Sequence, residues 1–230
     1  MSKKEQLYTP RGILGNYPAL DKVDYGSDDY PDPEGSFKCE VIFDSTDKEV
    51  KKFMKMLDAL NPAIEEKRDE FVKAQLKKGK KAEPEIHPNY TYVYSEEGEK
   101  TDRIAVKFKT KYSGINKKGE KWTRKLPLYD GRGGRIKGKL GISGGSEVVI
   151  KFTLGDPYCT PKLAGVAKYL EGAQIIELVK WEDDGGGFEV VDDGYEFSEE
   201  DLSDTMETEP EAEPEDAEED QDELPEFASK

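Results

Sequence analysis

The amino-acid sequence predicts a mainly β domain: a small antiparallel sheet or barrel with a helical insertion after its first strand and a disordered acidic C-terminal tail. Three observations support this fold class. Apolar and polar residues alternate in several short segments, which Gly-, Asn- and Asp-rich turns separate. One stretch, about residues 46–80, has helical spacing instead. Residues 182–230 are dominated by Asp and Glu and contain few apolar side chains.

An N-terminal arm precedes the first predicted strand. Residues 7–35 are rich in Pro, Gly, Tyr and Asp, which predicts an extended arm with turns and few regular elements. Apolar side chains then stand at Phe37, Cys39, Val41 and Phe43, the spacing of a strand with one buried face.

Two helices make up the predicted insertion. Thr46 and Glu49 have the spacing of a capping box, and the apolar positions that follow recur at i, i+3, i+4 and i+7. These positions are Val50, Phe53, Met54 and Leu57. Asn61 and Pro62 can cap and start a second helix, which ends in the lysine-rich turn at 77–81.

The remaining predicted elements are strands. After the insertion the sequence alternates with period two at 90–95, 103–109 and 148–154. A further strand is predicted within 120–130, and the last one at 173–181.

Charge divides the chain into two parts. Residues 182–230 hold 23 acidic side chains and one basic, hence −22, whereas residues 1–181 hold 34 basic and 28 acidic, hence +6. Within the body, residues 100–139 carry 14 Lys and Arg against three acids, a local charge of +11. We therefore predict a cation-rich domain at 1–181 and a disordered tail at 182–230.

The basic stretch has the pattern of a surface that binds single-stranded nucleic acid. Lys107, Lys109 and Lys111 share one face of a predicted strand, about 6 to 7 Å apart, which approximates the repeat of a nucleic-acid backbone. Basic and aromatic side chains interleave after them, so that cations can bind phosphates while rings stack on bases. The further candidates are Tyr112, Trp122, Arg124, Lys125, Tyr129, Arg132, Arg135, Lys137 and Lys139.

The charge of the tail predicts that it competes with DNA for the basic surface of the same chain. A flexible segment of charge −22 has a high effective concentration at its own basic surface, so it competes with weakly bound nucleic acid. Its removal is predicted to tighten binding and to allow weak binding of duplex DNA. Leu224 and Phe227 form an apolar tip on this acidic tether, which predicts a partner-binding segment.

No catalytic, metal or cofactor site is predicted. Cys39 and Cys159 are isolated, and His87 is the single histidine, so neither a zinc site nor a nucleophile–base pair is indicated. Residues 133–139 fit G-x-x-x-x-G-K, but Leu140 stands where the Ser or Thr of a phosphate-binding loop would bind Mg²⁺. The protein is therefore predicted not to be an enzyme.

Two alternatives remain open at the level of sequence. The first is a protein-binding module or chaperone whose acidic tail sequesters a basic partner. The second is an enzyme, for example a nuclease that requires divalent metal. Asp28, Asp29 and Asp32 cluster in the N-terminal arm, but they lie among turn residues and are read as a surface loop. No apolar run of membrane-spanning length and no signal-peptide core are present, so a cytosolic protein without membrane contact is expected.

The chain resembles the single-stranded DNA-binding proteins of T7-type phages. The resemblance covers residues 100–230 well and the first hundred only in their layout of arm, strand and helical insertion. It is carried by VKFKTKY (106–112), ISGGSEVVIKF (142–152), the region of Tyr158, GVAKYLEGAQIIELV (165–179), DDGGGFEVVDDGYEF (183–197) and the acidic tail.

The resemblance implies a fold and a function. It implies an OB-fold, a five-stranded antiparallel barrel with an inserted helix, that binds single strands without sequence preference and anneals complementary strands in phage DNA replication, recombination and repair. It implies a homodimer in the cytoplasm of the infected bacterial host, with a tail that contacts the phage DNA polymerase and the helicase-primase. The groove residues it supports are Lys107, Lys109, Tyr112, Lys151 and Tyr158.

The end of the chain departs from the family pattern. Family members most often end on an aromatic residue that partners recognise, whereas Ala228, Ser229 and Lys230 follow Phe227 here. Either Phe227 replaces that terminal aromatic or partner recognition differs.

Overall fold

The computed structural model describes residues 5–180, a mainly β fold with two helices. In chain order the elements are β1 (Leu7–Tyr8), β2 (Gly12–Leu14), β3 (Ala19–Gly26), β4 (Pro31–Asp44), α1 (Lys48–Asp58), α2 (Asn61–Leu76), β5 (Glu85–Ile86), β6 (Thr91–Tyr94), β7 (Lys100–Lys111), β8 (Ser113–Ile115), β9 (Lys121–Thr123), β10 (Leu128–Tyr129), β11 (Glu147–Leu154), β12 (Tyr158–Cys159), β13 (Leu163–Gly165) and β14 (Lys168–Glu177). The mainly β class is thereby confirmed.

The main sheet has nine strands. Its central path runs β10-β14-β11-β2-β4-β7-β6, with β1 beside β11 and β3 beside β4. The longest pairing, between β4 and β7, is antiparallel and runs from Ser36 opposite Lys111 to Asp44 opposite Arg103. Because β4 and β7 keep this register without a bulge, their outward side chains stand in two adjacent rows.

The main sheet curls around one core. The rings of Phe108 on β7 and Phe152 on β11 lie 5.1 Å apart, although β2 and β4 separate these strands in the sheet. In a flat sheet, three strand spacings would hold them about 14 Å apart. The curl brings β7 beside β14, but among residues 5–180 no hydrogen-bonded ladder joins these two strands. The predicted five-stranded closed barrel is therefore not confirmed.

The N-terminal arm is more regular than its composition predicts. Residues 7–35 contribute β1, β2, β3 and the start of β4 to the main sheet, so the prediction of few regular elements is wrong. These strands are short and rich in Gly, Pro and Asp, and pairing with longer strands holds them extended. The helical insertion consequently follows the fourth strand and not the first.

The helical insertion forms as the sequence predicts, with different caps. Asp47 caps α1, since its Oδ1 accepts from the amides of Glu49 at 2.7 Å and Val50 at 3.1 Å. Thr46 bonds instead to the carboxylate of Asp44. Asn61, the other predicted cap, is the first helical residue of α2.

Each helix covers a different part of the fold. From α1, Val50, Phe53 and Leu57 enter the main core, where the Phe53 ring lies 6.1 Å from that of Phe152. In contrast, α2 buries only Ile64, against a small sheet of order β12-β13-β5. This packing fixes Tyr158, at the start of β12, beside the main sheet.

Two predicted strands differ from the observed ones. The segment 120–130 contains two separate strands: β9 pairs with β8 in a two-stranded hairpin, and β10 pairs with β14 in parallel. Pro127 lies between them and has no N–H to continue a ladder. The last strand spans Lys168–Glu177 and so begins earlier and ends earlier than predicted. The domain boundary at 181, the tail and its residues Leu224 and Phe227 lie outside the described residues.

Candidate nucleic-acid interface

Three lysines line the outward face of β7. Their strand alternates between these exposed positions and Ile104, Val106 and Phe108, which are buried in the core. The predicted strand phase is therefore confirmed. We call Lys107, Lys109 and Lys111 the lysine row.

Each member of the lysine row has a carboxylate partner on the neighbouring strand β4. We call these three carboxylates the acidic row. The pairs are Lys107 with Glu40 (Nζ to Oε1, 3.7 Å), Lys109 with Asp32 (Nζ to Oδ2, 3.1 Å) and Lys111 with Glu34. The hydrogen bond that Lys111 donates to Glu34 raises the pKa of Lys111, so this ammonium stays charged throughout the neutral range.

The lysine row forms one wall of a cavity of about 450 Å³. Tyr158, which is 37% exposed, lines the same cavity from β12, and Lys168 and Tyr169 line it from β14. His87, Asn89 and Thr91 add further polar groups to the lining. Cations and exposed rings thus face one concave surface, the combination that a single strand requires.

A second cavity, of about 310 Å³, adjoins the first. The two share Thr110, Lys111 and Tyr169, and the second adds Trp122 and Arg124. We call the two cavities together the groove. It follows the side of the sheet where β7 and β14 lie next to each other without a ladder.

Arg124 spans this side of the sheet. Its Nη1 donates to Thr110 Oγ1 of β7 at 2.6 Å and lies 3.9 Å from Glu171 Oε1 of β14. The guanidinium carbon stands 5.9 Å from the centre of the Trp122 ring. Arg124 therefore joins the two strands and places its charge beside an aromatic ring in the groove.

Burial changes the ionisation of two groove residues. It lowers the pKa of Lys168 to about 8. It also lowers the pKa of His87, and the charges of Lys168 and Lys107 act in the same direction. His87 is therefore neutral at physiological pH, while Lys168 is partly protonated.

The other candidates from the sequence lie elsewhere. Tyr112 packs edge-on against Phe37, ring centres 5.9 Å apart, and with Lys125 and Arg135 it lines a separate cavity that meets the groove only at Arg124. Tyr129 and Lys151 line another cavity together with Tyr8. Arg132 and Lys139 are exposed in the loops between β10 and β11.

Sequence reasoning missed Lys168, Tyr169 and His87 as groove residues. Lys168 and Tyr169 belong to the resembling stretch GVAKYLEGAQIIELV, whose Lys-Tyr pair is the one available signal. Nothing in the sequence near His87 indicates its position, which results from the pairing of β5 with β13.

The described part of the chain contains neither a cluster of metal ligands nor a membrane-spanning helix. Among residues 5–180 no group of three or more His, Cys, Asp or Glu side chains is placed to hold a metal ion. No helix in the same part is long and apolar enough to span a bilayer.

Comparison with known proteins identifies the family of the chain. The family model described as single-stranded DNA-binding protein, bacteriophage T7, matches residues 11–178. The chain belongs to this family. It is a single-stranded DNA-binding protein of the phage type, and the resemblance read from its sequence is confirmed.

The likeness to one solved structure supports the fold, and a second solved structure is more distantly similar. The crystal structure of gp2.5, a single-stranded DNA-binding protein encoded by bacteriophage T7, is similar with a TM-score of 0.62 and 23% identity, over 80% of this chain and 98% of that chain. The single-stranded DNA-binding protein from bacteriophage Enc34, in complex with single-stranded DNA, matches with a TM-score of 0.47 and 10% identity, over 76% of this chain and 88% of that chain. No curated protein sequence matches the chain.

Proposed function

We propose that the groove binds single-stranded DNA without sequence preference. The observation that carries this proposal is the convergence of the lysine row with Tyr158, Tyr169 and Trp122 on one concave surface. Lysines bind phosphates irrespective of base, and aromatic rings stack on any base, so neither contact reads sequence.

The fold around the groove is that of an OB-type barrel. Strands β14, β11, β2, β4 and β7 surround the core that contains the Phe108 and Phe152 rings. The open side between β7 and β14 is where Arg124 crosses. The family and the likeness to gp2.5 support this inference.

The protein acts as an accessory in phage DNA replication, recombination and repair. It coats single strands and promotes annealing of complementary ones, as a homodimer in the cytoplasm of the infected host. The acidic tail competes with DNA for the groove and recruits the phage DNA polymerase and the helicase-primase, with Leu224 and Phe227 as the contact. Family membership and the tail's charge of −22 support these roles.

Binding of oligo-dT by the full chain tests the proposal. Fluorescence anisotropy of labelled oligo-dT at low and at physiological salt should show saturable binding that weakens as salt rises. Trp122→Ala should weaken it by about 1 to 3 kcal/mol, because the groove loses a stacking platform. Tyr30→Ala is the matched control, since Tyr30 is 83% exposed and lines neither cavity of the groove.

The outcomes separate three classes of protein. A protein-binding module would not bind oligo-dT at low salt, and that result would overturn the proposal. A nuclease would shorten the oligonucleotide in the presence of divalent metal, whereas a binding protein leaves it intact with or without EDTA. Equal affinity of Trp122→Ala and Tyr30→Ala, with unchanged melting temperatures, would remove Trp122 from the interface.

A further inference from the structure

The lysine row is internally neutralised before any DNA arrives. All three of its ammonium groups stand next to a carboxylate of the acidic row, at 3.7 Å, 3.1 Å and in direct hydrogen-bond contact. The three lysines line one wall of the groove, and their carboxylate partners lie on the neighbouring strand β4, outside the residues that line the groove. Each ammonium group that this wall offers to a phosphate therefore already has an anionic oxygen beside it.

The sheet register explains the acidic row. Glu40 stands directly opposite Lys107 in the antiparallel pairing of β4 with β7. Asp32 and Glu34 come from the start of β4, before the paired region that begins at Ser36, and reach the end of the lysine row from there. The same face carries a fourth pair, in which Lys38 Nζ lies 2.5 Å from Asp24 Oδ2.

These pairs are open to exchange. The three lysine side chains are 60–75% exposed, and the carboxylates are 27–42% exposed. Ion pairs at such exposure contribute little, so water and other anions compete with them. A phosphate offers a lysine the same kind of charged oxygen acceptor as a carboxylate.

We propose that Asp32, Glu34 and Glu40 are affinity-determining residues, which occupy the lysine row and must be displaced by the phosphates of single-stranded DNA. This inference rests on the proposed function of the groove. On this proposal the acidic row lowers the affinity of the groove for single-stranded DNA and reduces the salt dependence of binding.

Competition between the acidic row and DNA changes how DNA affinity depends on salt concentration. When a free lysine binds a phosphate of a single strand, the logarithm of the affinity falls with the logarithm of salt concentration by a slope of about 0.7 per contact. When the lysine leaves a carboxylate, that carboxylate attracts a cation from solution and cancels part of the release. Removal of the acidic row should therefore steepen the slope, by up to about 2 for three contacts.

The test neutralises the acidic row in the full chain. Asp32→Asn, Glu34→Gln and Glu40→Gln together keep the shape of each side chain and remove its charge. Oligo-dT binding is then measured by anisotropy across a series of salt concentrations. We expect affinity to rise about tenfold at low salt, the combined effect of three exposed pairs of ordinary strength, with the steeper slope.

A matched triple variant controls for net charge. Glu49→Gln, Glu70→Gln and Glu83→Gln also remove three carboxylates that pair with lysines. Unlike the lysine row, the lysines of these control pairs do not line the groove. Freed lysines attract the acidic tail as well as DNA, so both triples are also compared in a full-length chain whose tail Asp and Glu are replaced by Asn and Gln. The unfolding midpoint of every variant is measured alongside.

Each outcome decides one claim. Tighter binding with a steeper slope in the first triple, beyond the control, supports the acidic row as a competitor. Equal affinities and slopes in the two triples, with binding by the wild-type chain intact, overturn this inference and leave the proposed function standing. Absence of oligo-dT binding by the wild-type chain overturns the proposed function itself.

Discussion

Lys168 combines a position in the groove with an ammonium group that burial partly discharges. Its pKa is lowered to about 8, whereas hydrogen bonding raises the pKa of Lys111 in the same cavity. A phosphate beside Lys168 favours the charged form, so we expect DNA bound in the groove to raise this pKa towards its usual value. The complex would then take up a proton at alkaline pH, and affinity should fall as pH rises.

This linkage predicts a specific pH profile. Between pH 7 and 9 the affinity of the full chain for oligo-dT should fall by about tenfold, if DNA restores the ordinary pKa of Lys168. His87 does not contribute, because its pKa is lowered and it is neutral across this range. Affinities measured by anisotropy at constant ionic strength give the profile.

Lys168→Arg is the control for the pH profile. An arginine keeps its charge at pH 9, so the variant should bind with a nearly constant affinity across the same range. A profile in Lys168→Arg as steep as in the wild type would show that Lys168 is not the group that titrates.

At the level of single residues, the sequence predicts what is periodic. The lysine row could be assigned to one face because alternation in a strand is strict. Lys168 and the acidic row could not be placed beside it, because they lie far along the chain and meet β7 only through the fold. The local charge of +11 at 100–139 therefore overstates the repulsion in the groove, since it omits the carboxylates of β4.

Among the elements, β2 has a role far larger than its three residues suggest. It pairs with β4 on one side and β11 on the other, and so joins the two halves of the main sheet. At Gly12 an added Cβ would lie 2.6 Å from side-chain atoms of Val41 and Phe43. Only a glycine allows the backbone of β2 to approach the core this closely.

Substitution of this glycine should destabilise the domain. We expect Gly12→Ala to lower the free energy of unfolding by about 1 to 3 kcal/mol. The new methyl group would overlap Val41 and Phe43, which are buried in the core and have no free space to move into. Chemical denaturation followed by tryptophan fluorescence measures the change.

Gly131→Ala provides the comparison for overpacking. A Cβ at Gly131 would meet its nearest atom, the carbonyl oxygen of Ile175, at 3.7 Å, an ordinary contact. The two variants make the same chemical change, so equal stabilities would show that β2 can move away from the core without cost.

Elements with long periodic patterns were predictable, and short ones were not. The patterns at 37–43, 103–109 and 148–154 each correspond to part of an observed strand. In the arm, Gly, Pro and Asp conceal β1 to β3, whose conformation depends on partner strands and not on their own alternation. Likewise, Pro127 marks the break between β9 and β10 in the sequence. The sequence does not show that β9 pairs with β8 whereas β10 pairs with β14.

Across the whole molecule, a tail of charge −22 is attached to a domain that displays the lysine row. A tethered polyanion has an effective concentration on the order of millimolar at a nearby binding surface, so under the proposed function we expect the tail to compete with DNA for the lysine row. On this proposal the tail and the acidic row compete with DNA for the same three lysines.

Deletion of residues 182–230 should tighten the binding of single-stranded DNA by tenfold or more at low salt and allow weak binding of duplex DNA. Replacement of every tail Asp and Glu by Asn and Gln, at unchanged length, should have the same effect, because the charge and not the chain is the competitor. Deletion of 224–230 alone removes Leu224 and Phe227 with one acid, Glu226, and one base, Lys230, so the net charge of the tail is unchanged. DNA affinity should therefore change little while binding of the phage DNA polymerase is lost. Anisotropy with oligo-dT measures the first two effects, and co-sedimentation with the polymerase measures the third. An affinity for oligo-dT that is the same with and without residues 182–230, across the salt series, would contradict competition by the tail and leave the acidic row as the internal anion that limits the groove.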